Sequence, residues 1–461
     1  MKRGRKISII VIVALIAVFA LPLVNLAVGL PGNVQLGAAD SGSESFQSAA
    51  EALAIKCANC HTTEGKIPFY ADFPIARGII EKDIHKGTEY MDMTEEFKDA
   101  PQKPVNEATL AKLEYAIEHQ TMPPMQYLLL HWNGSLNQKE ESDVLTWIKG
   151  ERQQFFAEKG LPPESAQKVI RPLPKVPELN RSQVTLGEKL YHDVRLSKDN
   201  SISCNSCHDL AKGGVDGKQF SSGVNGSKGD VNAPTVYNAA LNIAQFWDGR
   251  AKDLETQADG PPNNPLEMAS NWGQISDKLN QDEELKKQVE EVYAEDFSGT
   301  NIMHSIAQFE RTLITPNSAL DRHLKGEDSA LSSEAQKGYQ LFLDQACATC
   351  HVGPALGGQS YEKMGRTGDY FADRGNITKA DNGRFNFTDK EQDRYKFKVP
   401  TLRNIALTQP YFHDGTIKEL SKAVEMMARY QLGISLSSDQ TKQLVAFLDG
   451  LTGEYQGKLL E

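Results

Sequence analysis

Cys57-Ala58-Asn59-Cys60-His61, Cys204-Asn205-Ser206-Cys207-His208 and Cys347-Ala348-Thr349-Cys350-His351 are three copies of one pattern, Cys-x-x-Cys-His. Together they use every cysteine of the 461-residue chain. In a c-type haem site two thiols add to the haem vinyl groups, and the adjacent His reaches the iron from the same side. The pattern therefore predicts three covalent haems, held by Cys57/Cys60, Cys204/Cys207 and Cys347/Cys350, with His61, His208 and His351 as proximal iron ligands. A structural zinc site takes four ligands and each copy offers three. A redox dithiol needs no following His, yet all three copies have one. No thiol is left over for a disulfide framework.

Outward from the motifs, the chain reads as three haem domains. Residues 1–30 are expected to form a membrane anchor. Ile7–Val24 is almost wholly apolar, and no charge appears from Ile7 to Ala39. That run exceeds the roughly 7–15 residues of a signal-peptide core and approaches the roughly 20 that span a bilayer. Lys2, Arg3, Arg5 and Lys6 predict a cytoplasmic N-terminus. The expectation is an inner-membrane protein with its catalytic domains in the periplasm. Gly37 and Ala39 offer a cleavage site, so a removed signal peptide is the alternative. Residues 31–160 read as a first haem domain opening on a Gly/Ala/Ser-rich stalk. Residues 161–180 form a proline-punctuated linker, 181–324 a second haem domain, and 325–461 a third.

Apolar residues recur at helical spacing in Leu110–His119, Leu186–Tyr191, Ile302–Leu313, Glu334–Leu343 and Leu420–Arg429. Strand signals are weak, and long Gly/Asn/Asp-rich loops cover 213–232 and 365–386. The predicted fold is mainly α, with three cytochrome c-like domains, long loops and an N-terminal transmembrane helix. A net charge of −11 argues against nucleic-acid binding. With only 8% aromatic residues, haem must fill much of the core.

From about Leu186 to Leu451 the chain resembles the bacterial dihaem cytochrome c peroxidases. The resemblance rests on Gly213-Gly214-Val215-Asp216, Asn232-Ala233-Pro234-Thr235, Gln245-Phe246-Trp247-Asp248-Gly249-Arg250, Gln257 and Asn264-Pro265-Leu266-Glu267-Met268. It continues with Val399-Pro400-Thr401-Leu402-Arg403-Asn404 and Pro410-Tyr411-Phe412-His413-Asp414-Gly415. With the extra N-terminal haem motif and the apolar N-terminus, the whole chain looks like the membrane-anchored trihaem quinol peroxidases.

The resemblance implies hydrogen peroxide reduction to water at the middle haem, with electrons from membrane quinol or from a small soluble cytochrome. It assigns Glu267 as the distal acid–base, Gln257 as the hydrogen-bond partner of peroxide, and Trp247 as the indole between two haems. Relatives often carry a blocking His on the loop after the middle motif. The matching position here is Val224, and no His or Met lies between His208 and Trp247. An open middle haem, active without reductive activation, is therefore expected.

Opposite His351 the candidates are Met364, Met426, Met427 and His413; the resemblance selects Met427. A calcium ion held by Asn232, Thr408 and Pro410 is implied by the resemblance alone. Opposite His61 the candidates are His85, Met91, Met93, His119, Met122, Met125 and His131. Thr121-Met122-Pro123-Pro124-Met125 is similar to the Met loop of small cytochromes c, which favours Met122, then Met125. The rival functions are a dihaem oxidase acting on a partner protein, and a multihaem electron carrier inert to peroxide.

Overall fold

The computed structural model describes residues 42–461 except 66 and 73, together with residues 20, 22–27, 29 and 34–38. The described chain is mainly helical and gathers into two compact units, residues 1–168 and 169–461.

The transmembrane helix expected over residues 1–30 is not borne out. Neither is the localisation built on it, a single anchor in the inner membrane with the catalytic domains in the periplasm. Most of Ile7–Val24 lies outside the described residues. Among those described, no helix is long and apolar enough to cross a membrane.

In the first unit, α1 (Glu44–Lys56) starts where the Ser43 hydroxyl accepts the Phe46 N–H. It ends on Cys57, whose N–H bonds to Leu53 O, so the helix terminus itself presents the first haem motif. Helix α2 (Glu107–Glu118) is capped by Asn106. Helix α3 (Gln138–Glu151) is started by a reciprocal cap between Asn137 and Glu140. Phe46 of α1 and Phe97 flank Trp147 of α3 at ring-centroid distances of 5.7 and 5.8 Å, which centres the core.

The second unit is one template used twice. Helix α4 (Arg181–Tyr191) precedes the middle motif, and α5 (Leu254–Ala258) and α6 (Gly299–Glu310) follow it. Helix α7 (Ser333–Asp344) precedes the third motif, and α8 (Leu420–Met427) and α9 (Ser438–Asp449) follow it. Each expected helix of this unit is found, within a few residues of its predicted bounds. Strands are few among the described residues: β1 (Tyr361–Lys363) pairs antiparallel with β2 (Lys396–Lys398), beside a two-residue pair near the C-terminus.

The two halves share a series of contacts. A Cβ on Gly187 of α4 would meet Ser305 O of α6 at 1.8 Å, and one on Gly338 of α7 would meet Gln443 O of α9 at 1.9 Å. In both pairs only glycine permits the helices to come so close. After each haem motif comes Pro-Thr-x-x-Asn. Thr235 donates to Gly213 O and accepts from Tyr237 N; Thr401 donates to Ala355 O and accepts from Arg403 N. Asn238 and Asn404 both have φ near +60°. Asn238 N donates to Leu313 O and Asn404 N to Leu451 O. Asn238 Oδ1 accepts from Thr315 N and Asn404 Oδ1 from Gly453 N. Each half then makes a hairpin with a left-handed residue, Phe246 or Phe412, in Phe-Trp-Asp-Gly and Phe-His-Asp-Gly.

The hairpins lace the halves together. Asn232 N donates to His413 O at 2.7 Å, and the equivalent Lys398 N donates to Trp247 O at 2.8 Å. Trp247 and His413, at matching positions, meet edge to face with centroids 6.3 Å apart.

Candidate active site

Each motif histidine is held by a backbone carbonyl through Nδ1. His61 faces Met91 O at 3.1 Å, His208 faces Pro234 O at 3.0 Å, and His351 faces Leu356 O at 3.0 Å. This contact fixes the ring and leaves Nε2 as the nitrogen for a metal. Burial holds all three imidazoles below their ordinary pKa, against the opposing pull of those carbonyls, so the neutral, ligating form is favoured. None of the six cysteines forms a disulfide. Burial raises the Cys57 and Cys347 thiols to about 12.

Around His351 lies a cavity of about 280 Å³ with a mostly apolar wall that includes Cys347, Cys350, Trp247 and Met427. Of the sequence candidates for the far side, Met364, Met427 and His413 line it and Met426 does not. Gln431 Nε2 lies 3.7 Å from the Met364 sulfur. The His413 Nε2 is bonded to Asp381 at 2.7 Å. Met427 at the end of α8 is the candidate whose donor atom has no such contact among the described residues. Thioether, imidazole and two thiols on one apolar cavity fit a covalently attached haem.

Asn232, Thr408 and Pro410 border the same cavity. Among the described residues no hydrogen bond reaches Asn232 Oδ1 or the carbonyls of Thr408 and Pro410, a donor set of hard oxygens that suits calcium. Among the described residues, one carboxylate–His group, Asp381, His413 and Asp414, has the spacing of a metal site, and Arg374 already fills it. Its guanidinium reaches both Asp381 oxygens, at 2.9 and 2.7 Å, and also Asp414. Burial alone would raise the Asp381 carboxyl, but bonds from Arg374, Thr378 and His413 hold it far below the carboxylate range.

On the middle-motif side, Glu267 and Val224 are direct neighbours: Val224 N donates to Glu267 O at 2.8 Å. Asn264 Nδ2 holds Glu267 Oε1 at 2.7 Å, and a tight turn anchors Asn264 by Leu266 N–H to its Oδ1. Burial pushes the Glu267 carboxyl up, while the Asn264 bond and the Arg250 charge pull part of the way back. Gln257 sits on α5, half-buried, and Met268 packs in the core beside Val224. Trp247 is pinned by Nε1–H to Asn232 O at 2.8 Å. The wall at position 224 is a buried aliphatic side chain with no ligating atom.

In the first unit Met91 and Met93 are buried in the core. His85 is exposed, and His119 is stacked on Tyr115. His131 has Nε2 on Tyr70 OH at 2.5 Å and Nδ1 on Tyr127 O at 3.0 Å, which occupies both nitrogens. Met122 and Met125 remain, 51% and 74% exposed. The Tyr70–His131 pair and the Arg374–Asp381–His413 network carry no sequence signature, because their members lie far apart along the chain.

Three family models match the chain: a haem-binding domain over residues 33–150, di-haem cytochrome c peroxidase over 181–329, and cytochrome c over 335–452. Each matched segment contains one Cys-x-x-Cys-His. Cytochrome c peroxidase Ccp of Escherichia coli (strain K12) is 46% identical over 402 residues, covering 87% of this chain and 86% of that protein. Cytochrome c551 peroxidase of Nitrosomonas europaea is 45% identical, covering 65% and 88%. A crystal structure of a MauG-like protein associated with microbial copper homeostasis superposes with a TM-score of 0.57 at 26% identity, over 64% of this chain and 96% of that one. The chain belongs to the bacterial di-haem cytochrome c peroxidase family. It is a haem peroxidase, an oxidoreductase carrying covalently bound c-type haem.

Proposed function

We propose that this enzyme is a trihaem quinol peroxidase that reduces hydrogen peroxide to two waters at its middle haem. The haems would be held by Cys57/Cys60/His61 in residues 31–160, Cys204/Cys207/His208 in 181–324, and Cys347/Cys350/His351 in 325–461. Residues 161–180 link the first to the second. Met122, with Met125 as second choice, and Met427 would complete the outer two irons. Asn232, Thr408 and Pro410 would hold a calcium ion. Electrons would pass from a quinol to the N-terminal haem, on to the C-terminal haem, and past Trp247 to the middle one.

The observation that carries the reading is Glu267, half-buried, clamped by Asn264 and set against an aliphatic Val224. The middle haem, held by Cys204, Cys207 and His208, would supply the iron at which peroxide is reduced by the two electrons delivered to it. Glu267 then takes a proton from one peroxide oxygen and returns it to the departing one. Gln257 donates a hydrogen bond that orients the peroxide. Val224 keeps the position clear, since it has no atom that could ligate. Two further protons from solvent balance the two electrons, giving two waters.

The test is an optical and EPR spectrum of the untreated oxidised protein, before and after one equivalent of peroxide. The expected result is one high-spin haem of three, altered at once by peroxide. Three low-spin haems unmoved by peroxide would remove the open site and leave an electron carrier or an enzyme that needs reduction first. Replacing the quinol by a reduced small cytochrome as donor tests the electron source separately.

A further inference from the structure

Lys398, the last residue of β2, borders the cavity around His351 and is 7% exposed. Its N–H is spent on Trp247 O. Its ammonium has no hydrogen bond or ion pair with a protein group among the described residues, and burial alone drives its pKa down to about 8. The other charged or titratable side chains on this wall are placed differently. His413 is bonded to Asp381, and His351 faces Leu356 O. Glu362 and Arg366 have interactions of their own. A buried cation without a counter-charge is costly, and such groups are retained where something pairs with them. The duplicated template sharpens the point: Lys398 stands in its half where Asn232 stands in the other, two residues before Pro-Thr-x-x-Asn.

We propose that the Lys398 ammonium pairs with a propionate of the haem attached at Cys347 and Cys350, and thereby raises that haem's reduction potential. The proposal rests on the reading of Cys347–His351 as a haem site. The cavity offers an anionic group no other cation so buried and so unpaired, and c-type haem keeps both propionates after its vinyl groups are consumed. A positive charge beside the propionate disfavours the ferric state, so it favours holding an electron at this station.

The test is a redox titration of the C-terminal haem in the holoenzyme and in K398M, K398Q and K398R. Intact mass and a haemochrome assay first count the haems in each protein. In K398M and K398Q the ratio of reduced to oxidised C-terminal haem at a fixed ambient potential should fall about tenfold, which is a drop of about 59 mV for a one-electron couple. K398R should stay close to the parent. Should K398M fail to assemble, K398Q against K398R carries the comparison. Equal potentials for K398Q and K398R, with all haems present, overturn the pairing. A parent enzyme without haem on Cys347 and Cys350 overturns the haem assignment itself, and the mass separates the two failures.

Discussion

The two halves of the second unit share a scaffold and differ where chemistry is expected. Around the middle motif the far wall is Glu267 and Val224; around the third it is Met427. Trp247 in one half answers to His413 in the other, and Asn232 to Lys398. The helix contacts, the Thr hydrogen bonds and the left-handed Asn are the same in both. In the proposed reading a haem-binding scaffold is separable from what its haem does, and a handful of side chains would divide one template into a reactive site and a relay.

The largest effect should come from removing that division on the reactive side. E267Q should lower kcat/KM for peroxide about 10²- to 10⁴-fold, with the haem content unchanged; a variant within threefold of the parent would deny Glu267 its role. The same residue sets a pH limb. As the proposed base it must be ionised, and its carboxyl is raised. Activity should therefore be complete at higher pH and lost as pH falls through a midpoint above the ~4.3 of an ordinary glutamate. N264A, which removes a bond to the ionised form, should move that midpoint further up.

Next comes a charge that only one half contains. Arg403, fully buried, pairs with the fully buried Asp321 at 2.9 Å; its counterpart Tyr237 is neutral. D321A leaves the buried guanidinium without its counter-charge and should cost about 3–5 kcal/mol, read from chemical denaturation. Smaller, and alike in both halves, should be G187A and G338A. Each forces a methyl into a carbonyl and should cost about 1–3 kcal/mol. A large difference between them would mean that the helix pairs are less equivalent than their distances suggest. Smallest should be T235V and T401V, about 0.5–1.5 kcal/mol for each hydrogen bond lost.

Much of this was legible in the chain before folding. The three motifs, the helices and the Glu267 block are local patterns that survive without tertiary context. The membrane anchor is not borne out, since among the described residues no helix is long and apolar enough to cross a membrane. Nothing in the sequence singles out Lys398, since burial without a partner leaves no mark there. The Arg374–Asp381–His413 network and the Tyr70–His131 pair depend on loops closing across dozens of residues. The duplication itself was hidden because Pro-Thr-x-x-Asn and Phe-x-Asp-Gly are short, and the loops between them and the haem motifs differ in length.

Thr315 shows what that duplication has become. Its hydroxyl accepts from Asn238 Nδ2 at 2.9 Å and from Asn404 Nδ2 at 3.1 Å. One oxygen is therefore a shared fixture of both copies, as are the exchanged Asn232–His413 and Lys398–Trp247 bonds. Neither copy holds a full set of anchors of its own, so the two are not separable modules. Cutting the gene between them would return two incomplete cytochromes rather than two working ones.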